Sequence, residues 1–149
     1  VTKARLIHIY CNDEENLYAI AFRTPGTDNT GAPHILEHSV LSGSKKYPLK
    51  DVFNELGSTS AATYLNAFTY PDRTISPVCS TIPKDFFNLA DVYTDVVLHP
   101  LLRKETFLQE GWHYEYDETK TDLVLFFCNV LSDEWGTDHE CGIPGAQNR

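Results

Sequence analysis

The sequence predicts an α+β fold, an antiparallel sheet packed against helices, and three observations predict it. Short runs rich in Ile, Leu, Val and aromatic residues recur at 5–10 (RLIHIY), 17–23 (LYAIAFR), 64–70 (YLNAFTY) and 73–79 (RTISPVC), as strands require. Residues 83–99 repeat their apolar positions at helical spacing. Strands come first and are then mixed with helices, which suits a layer of sheet against a layer of helix. No internal repeat or low-complexity linker divides the chain, so residues 1–149 read as a single domain.

Each element has its own signal. The polar segment 11–16 between the first two runs predicts a hairpin joining 5–10 to 17–23. Pro25, Gly26 and Gly31 among small polar residues make 24–32 a loop. Pro33 suits the first turn of a helix that runs into the early 40s and stops near Gly43. A short helix is predicted over 50–56, and two strands, 64–70 and 73–79, turn at Pro71 and Asp72. In 83–99, Phe86, Leu89, Ala90, Tyr93, Val96 and Val97 share a face, with Asp85 in the first turn and Pro100 just past the end. A helical piece follows at 104–109, and 112–116 is extended. The apolar run beginning at Leu123 fits a buried strand or a buried helix. Helix over 123–135 is preferred, because Val124, Phe127, Val130 or Leu131, and Glu134 would then share a face.

Composition narrows the function. Of 149 residues, 42% are apolar and 22% charged, the balance of a globular domain. Twelve Lys and Arg against 21 Asp and Glu leave a net charge of −9, which argues against a nucleic-acid binder needing a basic stripe. The longest apolar run, 123–128, is too short to span a bilayer, so no membrane role is expected. Methionine is absent even from position 1, which predicts a processed or partial chain. Cysteines at 11, 79, 128 and 141, with no Cys-x-x-Cys pair, predict scattered reduced thiols and an intracellular compartment.

The chemistry is concentrated in GAPHILEHSVLSGS, residues 31–44, which contains His-x-x-Glu-His as His34, Glu37 and His38. On a helix, positions i and i+4 lie one above the other, so both imidazoles can face one metal ion. Zn²⁺ favours nitrogen ligands, and a catalytic zinc keeps one position open for water. Glu37, beside His38 and one turn from His34, can accept the proton of that water. This is the zincin arrangement with its glutamate moved beside the second histidine, the inverzincin motif. Ile35, Leu36, Val40 and Leu41 supply an apolar side to bury the helix.

GAPHILEHSVLSGSKKYPLKDVFNEL, YLNAFTYPDRT and QEGWHYE, in that order and at these intervals, resemble the pitrilysin-type zinc metallopeptidases, and within them the presequence protease and falcilysin branch. The resemblance runs from about Asn12 to Tyr116. It implies an N-terminal fragment holding an incomplete half-domain of the pitrilysin-like metallohydrolase fold. It also implies an enzyme that degrades short unfolded peptides, such as cleaved targeting sequences, in a closed chamber. Its compartment would be the mitochondrial matrix or plastid stroma in a eukaryote and the cytoplasm in a bacterium. The partner it implies is the missing C-terminal half, which closes on the peptide and contributes a tyrosine and an arginine at the scissile carbonyl.

A catalytic zinc needs a third protein ligand, which the resemblance makes a later glutamate. Glu110 lies in the recognisable QEGWHYE block, but in the family that block precedes the ligand. Glu115 fits the shorter spacing of other pitrilysin-type enzymes. Glu134, 134 − 38 = 96 residues beyond His38, fits the presequence protease spacing and is preferred. Asp133 stands where the family usually has Asn, and 136–149 is a divergent tail whose Asp138, His139, Glu140 and Cys141 match no zinc spacing. The resemblance further makes Asn66 the residue whose amide holds the substrate backbone, with Ala67 offering main-chain hydrogen bonds. The plainer alternative is that Asn66 satisfies a turn or a neighbouring backbone group. Phe68 and Tyr70 line a subsite or the core, Trp112 and Tyr114 pack inside, and His99 caps a helix end. His8 and His113 are expected on strands, Lys45 and Lys46 in an exposed turn, and Asp13 to Glu15 in a solvated loop.

Overall fold

The computed structural model describes residues 3–28, 30–117 and 122–127. Among these, the elements run β1 (Asn16–Arg23), α1 (Ala32–Val40), α2 (Val52–Thr59), β2 (Tyr64–Leu65), β3 (Phe68–Thr69), β4 (Arg73–Ser80), α3 (Pro83–Leu98), α4 (Lys104–Glu110), β5 (Trp112–Asp117) and β6 (Asp122–Phe127). An antiparallel sheet in the order β1-β4-β2, with β3 also on β4, packs against helices, and β5 pairs with β6 in a separate ribbon. The architecture is the predicted α+β one.

β4 is the centre of the sheet, with β1 on one edge and β2 and β3 on the other; its last five residues are buried, and Val78 among them lies against α3. β1 lies along it from Asn16 opposite Ser80 to Arg23 opposite Arg73. Residues 5–10 form no strand; they are exposed and pair with nothing among the described residues, so the expected hairpin does not exist. β1 instead takes its ladder from β4, 50 to 64 residues on.

The single strand expected over 64–70 is two short ones, and Pro77 explains the break. In an antiparallel ladder a residue's N–H and C=O point to the same neighbour. The carbonyl of Pro77 accepts from the Asn66 N–H, so the edge where Pro77 lacks a donor faces Asn66. The ladder holds at Leu65 opposite Val78 and resumes at Phe68 opposite Ile75, and Asn66 and Ala67 bridge the gap. The helix expected over 123–135 is also corrected: 122–127 is β6, with Leu125 opposite Tyr114 and Val124 opposite Glu115. Six apolar residues close behind an extended segment find a ladder partner sooner than a helix can bury so short a run. The rest of that segment lies outside the described residues.

The core lies between sheet and helices. Leu89, Tyr93 and Val96, at i, i+4 and i+7 of α3, are fully buried. Leu89 and Tyr93 meet Val78 of β4, while Val96 meets Leu41 and Val52. Each large side chain so placed contributes roughly 1.5–3 kcal/mol. Asp51 caps α2 by accepting from the Asn54 N–H at 2.9 Å.

The turn after α1 is fixed from several sides. Gly43 has φ +106°, and a Cβ there would collide with the Leu49 carbonyl oxygen. The buried Ser44 hydroxyl donates to Asp95 of α3, and Val52 N–H donates to Leu41 C=O. These ties hold the C-terminal end of α1 against α2 and α3, and thereby orient the face carrying His34 and His38.

Candidate metal centre

α1 starts where the sequence says it should. Gly31, at φ 61°, turns the chain into the helix, and its carbonyl accepts from the N–H groups of His34 and Ile35. Pro33 in the first turn lacks an N–H the helix would leave unsatisfied in any case. The helix buries His34, Glu37 and Ser39, and rests against β3, β4 and α4.

The i, i+4 spacing brings the two imidazoles together. His34 Nε2 and His38 Nε2 lie 3.1 Å apart, with ring centroids at 4.8 Å and planes inclined by 60°. Two nitrogens each 2.0–2.1 Å from one tetrahedral centre are about 3.3 Å apart, so the pair has the bite of a metal site. Held by hydrogen bonding alone, the same nitrogens would share a single proton. Burial, then the neighbouring His38, pushes the pKa of His34 down to about 4, so its ring is neutral and its lone pair available at neutral pH.

Glu37 completes the cluster. Its Oε2 is 3.9 Å from His34 Nε2, and the ligand atoms of His34, Glu37 and His38 all fall within 4.8 Å of one another. His34 is 7% and Glu37 8% exposed. A carboxylate so buried needs donors, and Thr69 Oγ1 on β3 donates to Glu37 Oε2 at 2.9 Å. Thr69 escapes sequence reasoning: it sits in the YLNAFTY block, but nothing in its spacing marks a partner 32 residues back. His38 is more open, and its Nδ1 lies 3.4 Å from Glu110 Oε2 at the end of α4.

His34, Glu37 and His38 line a cleft of about 740 Å³ together with Asn66, Ala67, Phe68 and Thr69, and with Arg103, Glu105 and Glu110. Asn66 Nδ2 donates to the Tyr64 hydroxyl at 3.2 Å, and its Oδ1 accepts from the Ala67 N–H at 2.9 Å. These are the local contacts of the plainer reading, made on the wall of the cleft. β2 and β3 have no partner on the side away from β4 among the described residues, so their edge is open. Glu115 lies on β5, while Glu134 and the tail 136–149 lie outside the described residues. His99 caps α3, with Nδ1 3.3 Å from Asp95, and Lys46 pairs with Asp91 away from the cleft. Cys11 and Cys79 are free thiols. No helix among the described residues is long and apolar enough to cross a membrane.

Fold and centre together define a class: an α+β domain that sets two imidazoles and a carboxylate at one point on a helix beside an open strand edge. The insulinase family (peptidase family M16) matches residues 21–140, and the chain belongs to that family of peptidases. It is 57% identical over 127 residues to protein HypA of Clostridium perfringens, which covers 84% of this chain and 13% of that one. Presequence protease 1, chloroplastic/mitochondrial, of Arabidopsis thaliana is 52% identical over 124 residues, 82% of this chain and 12% of the relative. The mitochondrial presequence protease of Saccharomyces cerevisiae is 49% identical over 134 residues, 89% and 14% of the two. The crystal structure of pitrilysin superposes with a TM-score of 0.59 at 29% identity, over 67% of this chain and 11% of that one. The chain thus spans 12–14% of the length of these curated relatives.

Proposed function

We propose that the chain is the metal-bearing part of a zinc-dependent endopeptidase that hydrolyses short unfolded peptides, cleaved targeting peptides among them. One observation carries the proposal: two imidazole Nε2 atoms 3.1 Å apart, beside a buried carboxylate oriented by Thr69. The names of the plant and yeast relatives support the substrate class and an organelle matrix; in a bacterium the compartment would be the cytoplasm. In this reading His34 and His38 hold Zn²⁺, with Glu134 as the third ligand. The bound ion supplies Lewis acidity, polarising the scissile carbonyl and making a water acidic enough to lose a proton near neutral pH.

The chain's own residues do the rest. The Thr69 hydroxyl fixes the rotation of the Glu37 carboxylate, so that it faces the histidine nitrogens. Glu37 takes the water's proton as general base and then delivers it to the leaving amine. The peptide lies extended as an added strand on the open edge of β2 and β3. There the Asn66 amide exchanges its Tyr64 contact for the substrate backbone, and Ala67 offers its main-chain groups. The C-terminal half that the longer relatives carry is the natural partner, closing over the cleft.

Glu37→Gln is expected to keep zinc at one equivalent while hydrolysis of a fluorogenic peptide falls about 10²–10⁴-fold. Parental turnover in that variant sinks the assignment of the base. A second reading, a silent zinc- or peptide-binding scaffold, is favoured by the small share of its relatives that the chain spans. Zinc at one equivalent without any chelator-sensitive hydrolysis in the parent, even with the C-terminal half supplied, selects it.

A further inference from the structure

We propose that Thr74 and Thr24 are positioning residues for the general base: with Thr69 they form a one-way chain of hydroxyls across the sheet that commits the Thr69 proton to Glu37. The inference rests on the reading of Glu37 as that base, and adds two residues that act through Thr69 and do not themselves line the cleft.

Three observations carry it. First, the sheet places the three threonines on one face. Thr69 of β3 lies directly opposite Thr74 of β4, and Thr74 lies opposite Phe22 of β1. Thr24, two residues beyond Phe22, falls on the same face as Phe22 and diagonal to Thr74. Its N–H donates to the Asp72 carbonyl at 3.0 Å, which carries the pairing just past the end of β1. All three side chains are half-buried, and α1, which carries Glu37, rests against β3 and β4.

Second, the hydroxyls meet in series. Thr24 Oγ1 is 2.8 Å from Thr74 Oγ1, Thr74 Oγ1 is 3.5 Å from Thr69 Oγ1, and Thr69 Oγ1 is 2.9 Å from Glu37 Oε2. The longest link is the one between Thr74 and Thr69. Third, proton counting gives the series a direction. An ionised carboxylate only accepts, and a hydroxyl has a single proton to donate. Thr69 donates to Glu37, so at its other contact it accepts from Thr74. Thr74, its proton committed in turn, accepts from Thr24. No other arrangement of the three protons satisfies all three contacts.

Cross-strand threonine pairs also stabilise a ladder, but this series ends on a buried carboxylate. With a donor behind it, the Thr69 hydroxyl has no reason to turn back towards the sheet, and hydroxyls in series polarise one another. All three protons point towards Glu37, so a proton that Glu37 takes from water has no outward path along them and stays available to the leaving amine.

The test pairs a structural measurement on the metal-free 149-residue chain with turnover of a fluorogenic peptide once the C-terminal half is supplied. In the parent, three-bond couplings should place χ1 of Thr69 in one rotamer, with a hydroxyl proton that exchanges slowly with water. Thr74→Val, which keeps the branched shape, should average that rotamer and speed the exchange; Thr74→Ser, which keeps the hydroxyl, should restore both. In turnover, Thr74→Val should lower kcat about 3–10-fold, the factor a neutral hydrogen bond is worth, with KM and zinc stoichiometry unchanged. Thr24→Val should lower it less, and Thr74→Ser should stay within about twofold of the parent. Because Thr74 acts through Thr69, adding Thr74→Val to Thr69→Val should change kcat no further. A kcat unchanged in Thr74→Val overturns the proposal, and so does a loss that persists undiminished on top of Thr69→Val. A parent that hydrolyses nothing removes the peptidase reading and the role assigned to these threonines in it. A Thr69 side chain that keeps one rotamer and a protected hydroxyl in Thr74→Val overturns the hydroxyl chain whatever the turnover.

Discussion

Residues 5–10 (RLIHIY) and β4 (RTISPVCS) are both rich in the side chains that favour strands, yet they end in opposite environments. β4 is flanked by β1 on one side and by β2 and β3 on the other, covered by α3, and buried over its last five residues. In 5–10, Leu6, Ile7 and Ile9 are 93%, 78% and 79% exposed. β propensity describes how well a side chain fits a pleated, half-buried surface; it does not supply that surface. What separates the two segments is a partner. β4 has a face of α3 to bury Val78 against, and 5–10 has nothing comparable among the described residues.

The largest effect that sharpens this contrast comes from α3. Leu89→Ala removes a fully buried side chain packed on Val78 and Tyr93, and should cost about 2–5 kcal/mol in thermal or denaturant unfolding. Ile9→Ala deletes a comparable apolar volume from an exposed site and should cost almost nothing. Equal losses in the two variants would mean that burial does not divide the segments.

The same contrast explains what the sequence reveals and what it hides. α1, α3, β1 and β4 announce themselves, because period and boundary residues agree: Gly31 and Pro33 open α1, Asp85 and Pro100 bracket α3. The pairing of His34 with His38 is equally legible, since i, i+4 geometry is local to one helix. Contacts that cross the chain leave no such mark. The β1–β4 ladder replaces a hairpin that the local pattern favoured, and the break at Asn66 depends on which edge Pro77 turns to its neighbour. Over 122–127 the run is too short for period to separate strand from helix, and the β5 partner decides. Glu110 is conspicuous in its block, yet only the fold of α4 against α1 shows which nitrogen of His38 it meets.

Thr69 carries the comparison from apolar to polar burial, with a smaller expected effect. Glu37 is tolerated in the interior because a donor from a distant strand meets it. Thr69→Val keeps the shape and removes that donor, and hydrogen bonds to charged groups are worth about 1.5–3 kcal/mol. In a catalytically competent preparation, kcat/KM should fall about 10- to 100-fold with zinc stoichiometry unchanged. Parental kcat/KM in that variant would show that Glu37 holds its orientation without Thr69.

The smallest effect tests the exposed side of the comparison most directly. Ile7→Ser with Ile9→Ser strips the segment of much of its apolar character and of its β propensity together. If 5–10 contributes nothing to the packed structure, the double variant should unfold within about 0.5 kcal/mol of the parent, as substitutions at exposed, unpartnered positions do. Two buried isoleucines exchanged for serine would each lose the transfer energy of a large aliphatic chain and leave a cavity, several kcal/mol together. The gap between those outcomes is wide enough for a single urea titration to decide. A loss above about 2 kcal/mol would place 5–10 on a buried surface of the folded chain, and would make the sequence-based hairpin the better description of how this end of the sheet is completed.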